Sequence, residues 1–449
     1  MKLLIKNGRV IDPASGRDGI FDVLVSDGVI EKVGKNLDID LCNAAAQAIR
    51  NGTKDGKDSG EEAYREIDAT GLWVMPGLID LHVHFREPGF EYKETIKTGA
   101  LAAAHGGFTT VCVMPNTKPV TDCAETVSYV VNKAKQEAVV NVIPVGAVTI
   151  GQAGEERTDV KAMKEAGIGA ISEDGKSVMN AELYREAMKE AAGLNIPVFA
   201  HCEDKNMVGK GAMNECGKSK EFGVKGITNA VEDVIVARDI LLAKETGATL
   251  HLCHCSTKDS VFMVKAAKEA GLKVTAEVCP HHFTLTSTDI DRNHGDFKMN
   301  PPLREAEDVE ALRCGLKDDI MDVISTDHAP HGYDENNQTF DKAPFGIVGL
   351  ETSVALTITQ LVDKGYLTPM QMAQKMSYNP ARVLGIDKGS LEEGKIADIT
   401  LIDAATEYTI DKNTFATMGR NTPFDGWSVR GRAVMTIVGG DIVYDGMPN

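Results

Sequence analysis

Two histidines one residue apart, His82 and His84, stand in the stretch DLHVHFREPG (80–89) of this 449-residue chain. On a strand, residues i and i+2 face the same side, so both imidazoles leave the backbone together. Arg86 and a Pro-Gly turn follow at once. The pattern suits a pair of metal ligands at a strand's end with a cation beyond them. The competing reading is two hydrogen-bonded histidines inside a buried strand. Four more residues of ligand type, Asp174, His201, His254 and Asp327, end or closely follow other apolar segments. Four imidazoles and two carboxylates fit Zn²⁺ or a similar divalent ion. Six donors suffice for two ions about 3.5–4 Å apart, and such an ion lowers the pKa of a bound water to roughly 7. Asp327 can both bind a metal and carry the proton from that water to a leaving nitrogen. The chemistry this supports is hydrolysis of an amide C–N bond.

Positioning these residues needs a repeated strand–helix architecture. Apolar, β-branched segments recur at 77–84, 108–114, 140–148, 167–172, 196–201, 248–254, 272–279 and 321–326. Between them, stretches such as 94–106, 124–138, 180–193 and 258–271 carry apolar residues at helical spacing, and several finish in Gly. The fold expected is α/β, a (β/α)8 TIM barrel, with a doubly wound sheet as the alternative. In a barrel the ligand-type residues converge on the carboxyl-end rim, where active sites are built. Cys202, Cys253 and Cys255 flank ligands, and strand alternation turns their side chains away. Both chain ends read as short strands that pair into a small β domain. The boundaries expected are 1–74 and 385–449 for that domain and 75–384 for the barrel. Residues 41–66, polar and rich in Gly, Lys and Asp, read as a solvated insertion with a short helix at 43–50.

Composition narrows the function classes. Hydrophobic content of 43% and charged content of 25% are ordinary for a globular protein. A net charge of −18 argues against nucleic-acid or anionic-membrane surfaces. No apolar stretch reaches the ~18 residues a membrane span needs, and the opening MKLLIKNGRVIDP is too short for a secretory signal. Nine unladdered cysteines read as free thiols, so the expectation is a cytoplasmic enzyme with a small-molecule substrate.

The stretches DLHVHFREPG (80–89), MPNTKPVTD (114–122), AHCED (200–204), CHCST (253–257), MNPPLR (299–304) and STDHAPH (325–331) span the barrel. They resemble the metal-dependent amidohydrolase superfamily and, more narrowly, the bacterial class I dihydroorotases. The resemblance implies reversible zinc-dependent hydrolysis of the cyclic amide of dihydroorotate to N-carbamoyl-aspartate, in pyrimidine synthesis. It implies His82, His84, Asp174, His201, His254 and Asp327 as ligands of two Zn²⁺, with Asp174 bridging. Here Glu173-Asp174-Gly175 replaces the family's DDG, which leaves Glu173, and more remotely a carbamylated Lys176, as rivals for the bridge. The resemblance assigns the substrate carboxylate to Arg86, Asn116 and His331, a ring contact to Asn300, and backbone amides to Phe345 and Gly346. A guanidinium fork suits a carboxylate bidentately. Asn116 and Asn300 each have a turn-residue reading as well. His105, His251, His281, His282 and His328 read as packing or supporting groups, and 331–351 as an active-site rim or lid. A homodimer, or assembly with aspartate transcarbamoylase, comes from the family alone. The rival readings are an allantoinase or dihydropyrimidinase, which give no reason for Arg86 and generally bridge with lysine, and a non-catalytic homologue, which would have lost ligands.

Overall fold

The computed structural model describes residues 2–37 and 64–447, so the helix expected at 43–50 lies outside the described residues. Five strands open the chain: β1 (Lys2–Asp12), β2 (Arg17–Ser26), β3 (Val29–Gly34), β4 (Tyr64–Asp68) and β5 (Trp73–Pro76). The barrel strands begin with β6 (Leu78–Val83), β7 (Phe108–Val113), β8 (Asn141–Ala147), β9 (Ala170–Ser172) and β10 (Val198–Ala200). A two-residue pair, β11 (Met213–Asn214) and β12 (Gly226–Ile227), interrupts the series. The barrel resumes with β13 (Leu250–Leu252), β14 (Val274–Val278) and β15 (Val323–Ile324). The chain closes with β16 (Ile399–Thr409), β17 (Ser428–Val438) and β18 (Asp441–Asp445).

All eight expected barrel strands form, and they pair in parallel with each beside the next of the series, from β6 round to β15. What excludes the doubly wound alternative is the meeting of first and last. The His84 N–H donates to the His328 carbonyl at 2.8 Å, and Val83 and His328 form a parallel bridge. The buried Asp80 carboxylate adds a strap by accepting the Thr326 N–H at 3.2 and 3.3 Å. Burial pushes that carboxyl up to about 7, against the hydrogen bonds from Thr326 and the His82 amide.

Ile79, Leu81, Cys112, Val145, Phe199, Cys253 and Val323 fill the barrel interior. Leu78, Val83, Phe108 and Val111 belong instead to the core that includes apolar residues of the surrounding helices. Each fully buried Leu, Val or Phe contributes roughly 1.5–3 kcal/mol relative to exposure. The interior is a packed plug, so space for a ligand exists only at its ends. The four helices anticipated from spacing form as Ile96–His105, Ala124–Glu137, Ala181–Gly193 and Lys258–Glu269. Thr95, Asn180 and Thr257 cap three of them through side-chain oxygens.

Both chain ends share one antiparallel-rich sheet, ordered β18-β17-β16-β5-β1-β2-β3, with β4 on β1. The join is β5, parallel to β1 and antiparallel to β16, with Met75 opposite Thr400. Because β6 begins two residues after β5, this sheet anchors the strand that carries His82 and His84.

Candidate metal centre and substrate cavity

All six residues expected as ligands meet at the carboxyl-end rim. Asp174 lies centrally: its carboxylate is 3.2 Å from His82 Nε2, 3.5 Å from His84 Nε2, 3.5 Å from His201 Nδ1 and 3.6 Å from His254 Nε2. Asp327 Oδ1 sits 3.1 Å from His84 Nε2 and 3.6 Å from His82 Nε2. His201 Nδ1 and His254 Nε2 face each other at 2.9 Å. Two overlapping donor triads result, His82/Asp174/His254 and His82/His84/Asp327, each with its donor atoms within 4.8 Å of one another.

The hydrogen-bond accounting shows what this arrangement lacks. His82 Nδ1 lies 2.8 Å from Glu277 Oε1, and His84 Nδ1 lies 2.9 Å from Asn116 Oδ1. Both oxygens are acceptors, so each Nδ1 carries a ring proton and each Nε2 is turned toward a carboxylate. Nitrogen against carboxylate at 3.1–3.2 Å leaves room only for a proton or a cation between them. His82 Nε2, Asp174 Oδ1, His201 Nε2 and His254 Nδ1 are buried without a hydrogen-bond partner. Burial alone would raise the Asp174 carboxyl, but the facing imidazoles, His82 foremost, hold it well below its usual range. His201 moves the other way, to about 10, because Asp174 and Glu203 outweigh its burial. The site demands positive charge, and nitrogen–oxygen donors of this kind fit divalent zinc-like ions.

Backbone strain marks the same place. Of nine described non-glycine residues with positive φ, three are Arg86 (+59°), His254 (+34°) and Asp327 (+51°). Such conformations cost of order 1–3 kcal/mol each and persist where the surroundings over-determine them. At His254 the consequence is visible and corrects an expectation. Alternation was expected to turn Cys253 away from the ligands. Instead Cys253, like His251 two residues earlier, faces the barrel interior, and its donor atom groups with those of His82 and Glu277. The left-handed turn at His254 breaks the alternation and lets the next side chain reach the rim as well. Cys202 and Cys255 lie in the outer core, as expected.

A cavity of about 220 Å³ opens above the centre, lined by His84, Arg86, Asn116, Asp174, Gly175, His201, His254, Asn300, Asp327, Ala329, Phe345 and Gly346. His82 lies beneath it, fully buried. His331 sits behind: its Nε2 donates to the Phe345 carbonyl at 2.8 Å, and Arg86 Nη2 is 3.4 Å away. The Arg86 Nε donates to the Pro330 carbonyl at 3.2 Å. Among the described residues no carboxylate forms an ion pair within 4 Å of Arg86, and burial lowers its pKa to about 10 despite the fields of Asp327 and Asp174. This is a positioned cation with its own anion missing. Asn300 Nδ2 donates to Glu203 Oε2. Gly346 places its backbone against the wall where a Cβ would lie 2.5 Å from that of Ala329, and its φ of +129° suits only glycine. Its N–H donates to the Lys298 carbonyl at 2.8 Å. The rim segment 331–351 is anchored by the buried Phe340, Ile347 and Leu350.

The two rivals for the bridge point elsewhere. Glu173 accepts the amides of Val148 and Thr149 at 3.1 and 3.0 Å, and Lys176 Nζ donates to the Gln152 carbonyl at 3.1 Å. His328 faces Glu94 Oε2 at 3.5 Å, away from the cavity. Missed from sequence was Glu277, whose carboxylate also accepts from His254 N–H and lies 3.1 Å from both that amide and His251 Nε2. A lone acid inside LKVTAEVC (272–279) was the available signal. A buried charge at that position has to be paired.

A family profile described as "Dihydro-orotase-like" matches residues 71–260. A dihydroorotase of Trichlorobacter lovleyi is 47% identical over 446 residues, covering 99% of this chain and 100% of that protein. One from Bacillus cereus is 48% identical over 444 residues, covering 99% and 98%. The chain belongs to the dihydroorotase family. Among solved structures, an L-hydantoinase (dihydropyrimidinase) from Arthrobacter aurescens superposes with a TM-score of 0.83 at 25% identity, covering 99% of this chain and 96% of that one. A D-hydantoinase (dihydropyrimidinase) from Thermus sp. gives 0.80 at 27%, covering 99% and 96%. Dihydroorotases and hydantoinases thus share this fold. The sequence identity separates them here, and the site supports a cyclic amidohydrolase. No helix among the described residues is long and apolar enough to cross a membrane.

Proposed function

We propose that this protein is a class I dihydroorotase that opens and closes the cyclic amide of dihydroorotate, with two Zn²⁺ at the rim. The observation that carries the reading is Arg86, a half-buried guanidinium on the cavity wall without a carboxylate partner among the described residues, set beside Asp327 and the donor cluster. Dihydroorotate carries a carboxylate on the ring whose amide is to be cleaved. A site that clamps the first places the second.

His82, His84, Asp174, His201, His254 and Asp327 would hold the ions. Bound there, divalent zinc would acidify a water and polarise the amide carbonyl. The remaining steps belong to the chain. Arg86, Asn116 and His331 hold the substrate carboxylate, with the Pro330 carbonyl fixing the guanidinium from behind. Asn300 and the Phe345 backbone contact the ring; the Gly346 amide, expected to do the same, is taken by the Lys298 carbonyl. Asp327 takes a proton from the attacking water and delivers it to the ring nitrogen as the C–N bond breaks; ring closure reverses the transfer. The class I assignment, a homodimer and association with aspartate transcarbamoylase rest on the resemblance and belong to the same proposal, as do a cytoplasmic location, read from the unladdered cysteines, and the boundaries 75–384 for the catalytic barrel and 1–74 with 385–449 for the flanking domain, read from the strand–helix pattern.

The zinc-loaded protein is expected to turn over dihydroorotate and carbamoyl-aspartate. If it opens hydantoin, dihydrouracil or allantoin and leaves dihydroorotate untouched, the assignment fails. Arg86→Lys exchanges a fork for a point charge, so KM for dihydroorotate should rise roughly ten- to hundredfold, the loss of one charged hydrogen bond. Steady-state kinetics with an unchanged KM would remove Arg86 from the carboxylate site.

A further inference from the structure

Directly after β14, and outside the donor set above, Cys279, His281 and His282 lie together, 0%, 2% and 2% exposed. One donor atom from each falls within 4.8 Å of the others, and the two imidazole centroids are 4.2 Å apart. Their hydrogen bonding is incomplete in a specific way. His282 Nε2 donates to the Pro301 carbonyl at 2.9 Å, which leaves Nδ1 a bare lone pair. Both that Nδ1 and His281 Nε2 are buried without a partner. Buried polar atoms are nearly always paired, so two orphaned nitrogens beside a thiol call for a ligand. The other thiol group at the rim, Cys253 with His82 and Glu277, differs in this respect, because its imidazole and carboxylate already satisfy one another at 2.8 Å.

We infer that Cys279, His281 and His282 form a further cation site, selective for a borderline-soft divalent ion such as Zn²⁺. A thiolate and two neutral imidazoles are ordinary zinc donors, with water free to complete the tetrahedron. Burial keeps both imidazoles in the neutral, ligating form. The same burial pushes the Cys279 thiol up, so binding has to release its proton: Cys–SH and M²⁺ give the metal thiolate and H⁺ to solvent. The position gives the site a purpose. Cys279 is two residues beyond Glu277, the acid that orients His82, and His282 holds the carbonyl of Pro301, next to Asn300 of the cavity wall. An ion here ties the end of β14 to the loop carrying Asn300. This inference is independent of which cyclic amide is cleaved.

The test is a Co²⁺ titration of the metal-stripped full-length protein, read in the near ultraviolet. The six rim ligands contain no sulfur, so their filling produces only weak visible bands. Occupation of the new site adds an intense thiolate-to-cobalt charge-transfer band. The band is expected in the wild type and in Cys253→Ser, absent in Cys279→Ser, and strongly reduced in His281→Gln, with one fewer equivalent bound in each of the last two. His281→Gln guards against a Cys279→Ser chain that does not fold. Absence of the band from saturated wild-type protein overturns the inference. So does its loss in Cys253→Ser with retention in Cys279→Ser or His281→Gln.

Discussion

Asp327→Asn is expected to lower kcat for dihydroorotate by roughly 10²–10⁴-fold, the usual contribution of a general acid–base group, while the fold stays intact. Asparagine keeps the size of the side chain and tolerates the left-handed backbone at this position, where φ is +51°. The barrel seam does not depend on the Asp327 carboxylate. It is closed by the His84–His328 backbone hydrogen bond and by Asp80 on Thr326. What asparagine removes is the negative charge 3.1 Å from His84 Nε2 and 3.6 Å from His82 Nε2, and with it the proton carrier. Circular dichroism and thermal melts checked beside the kinetics separate the two effects. A variant within tenfold of wild type refutes the role.

The second large effect concerns Asp174. Chelation should abolish turnover and Zn²⁺ should restore it, whereas in Asp174→Ala restoration should fail. No other carboxylate is within 4 Å of all four imidazoles among the described residues. Without it, two cations would face four neutral nitrogens and one acid. Loss of an outer partner of a metal ligand already costs 10–100-fold in affinity, so loss of this shared ligand should weaken zinc binding by more than about 100-fold. Calorimetric zinc titration of the stripped variant measures it. The full wild-type stoichiometry at wild-type affinity would show that Asp174 holds neither rim ion, and unimpaired activity would remove Asp174 from the working centre.

Much of this site was legible in one dimension because a barrel converts chain order into rim order. Each strand of the series ends at the same face, so a histidine or aspartate closing an apolar segment can be placed without coordinates. His82, His84, His201 and Asp327 were found that way. Legibility failed where side-chain direction depends on one dihedral angle. Cys253 was misplaced because nothing in LHLCHC announces a positive φ at His254. Glu277 was overlooked because its partners, His82 and His251, are 195 and 26 residues away in sequence.

The sequence by itself determined the alternation of strands and helices, the six donors and their kind, since periodicity and residue type are local properties. Tertiary structure decided three things. It chose the barrel over an open sheet, because closure is a contact between Val83 and His328, 245 residues apart. It turned Asp174, and not Glu173 or Lys176, toward the imidazoles, because side chains close in sequence leave the chain in different directions. And it left Arg86 without a carboxylate of its own, a property that depends on every other acid in the fold and that no stretch of chain can state.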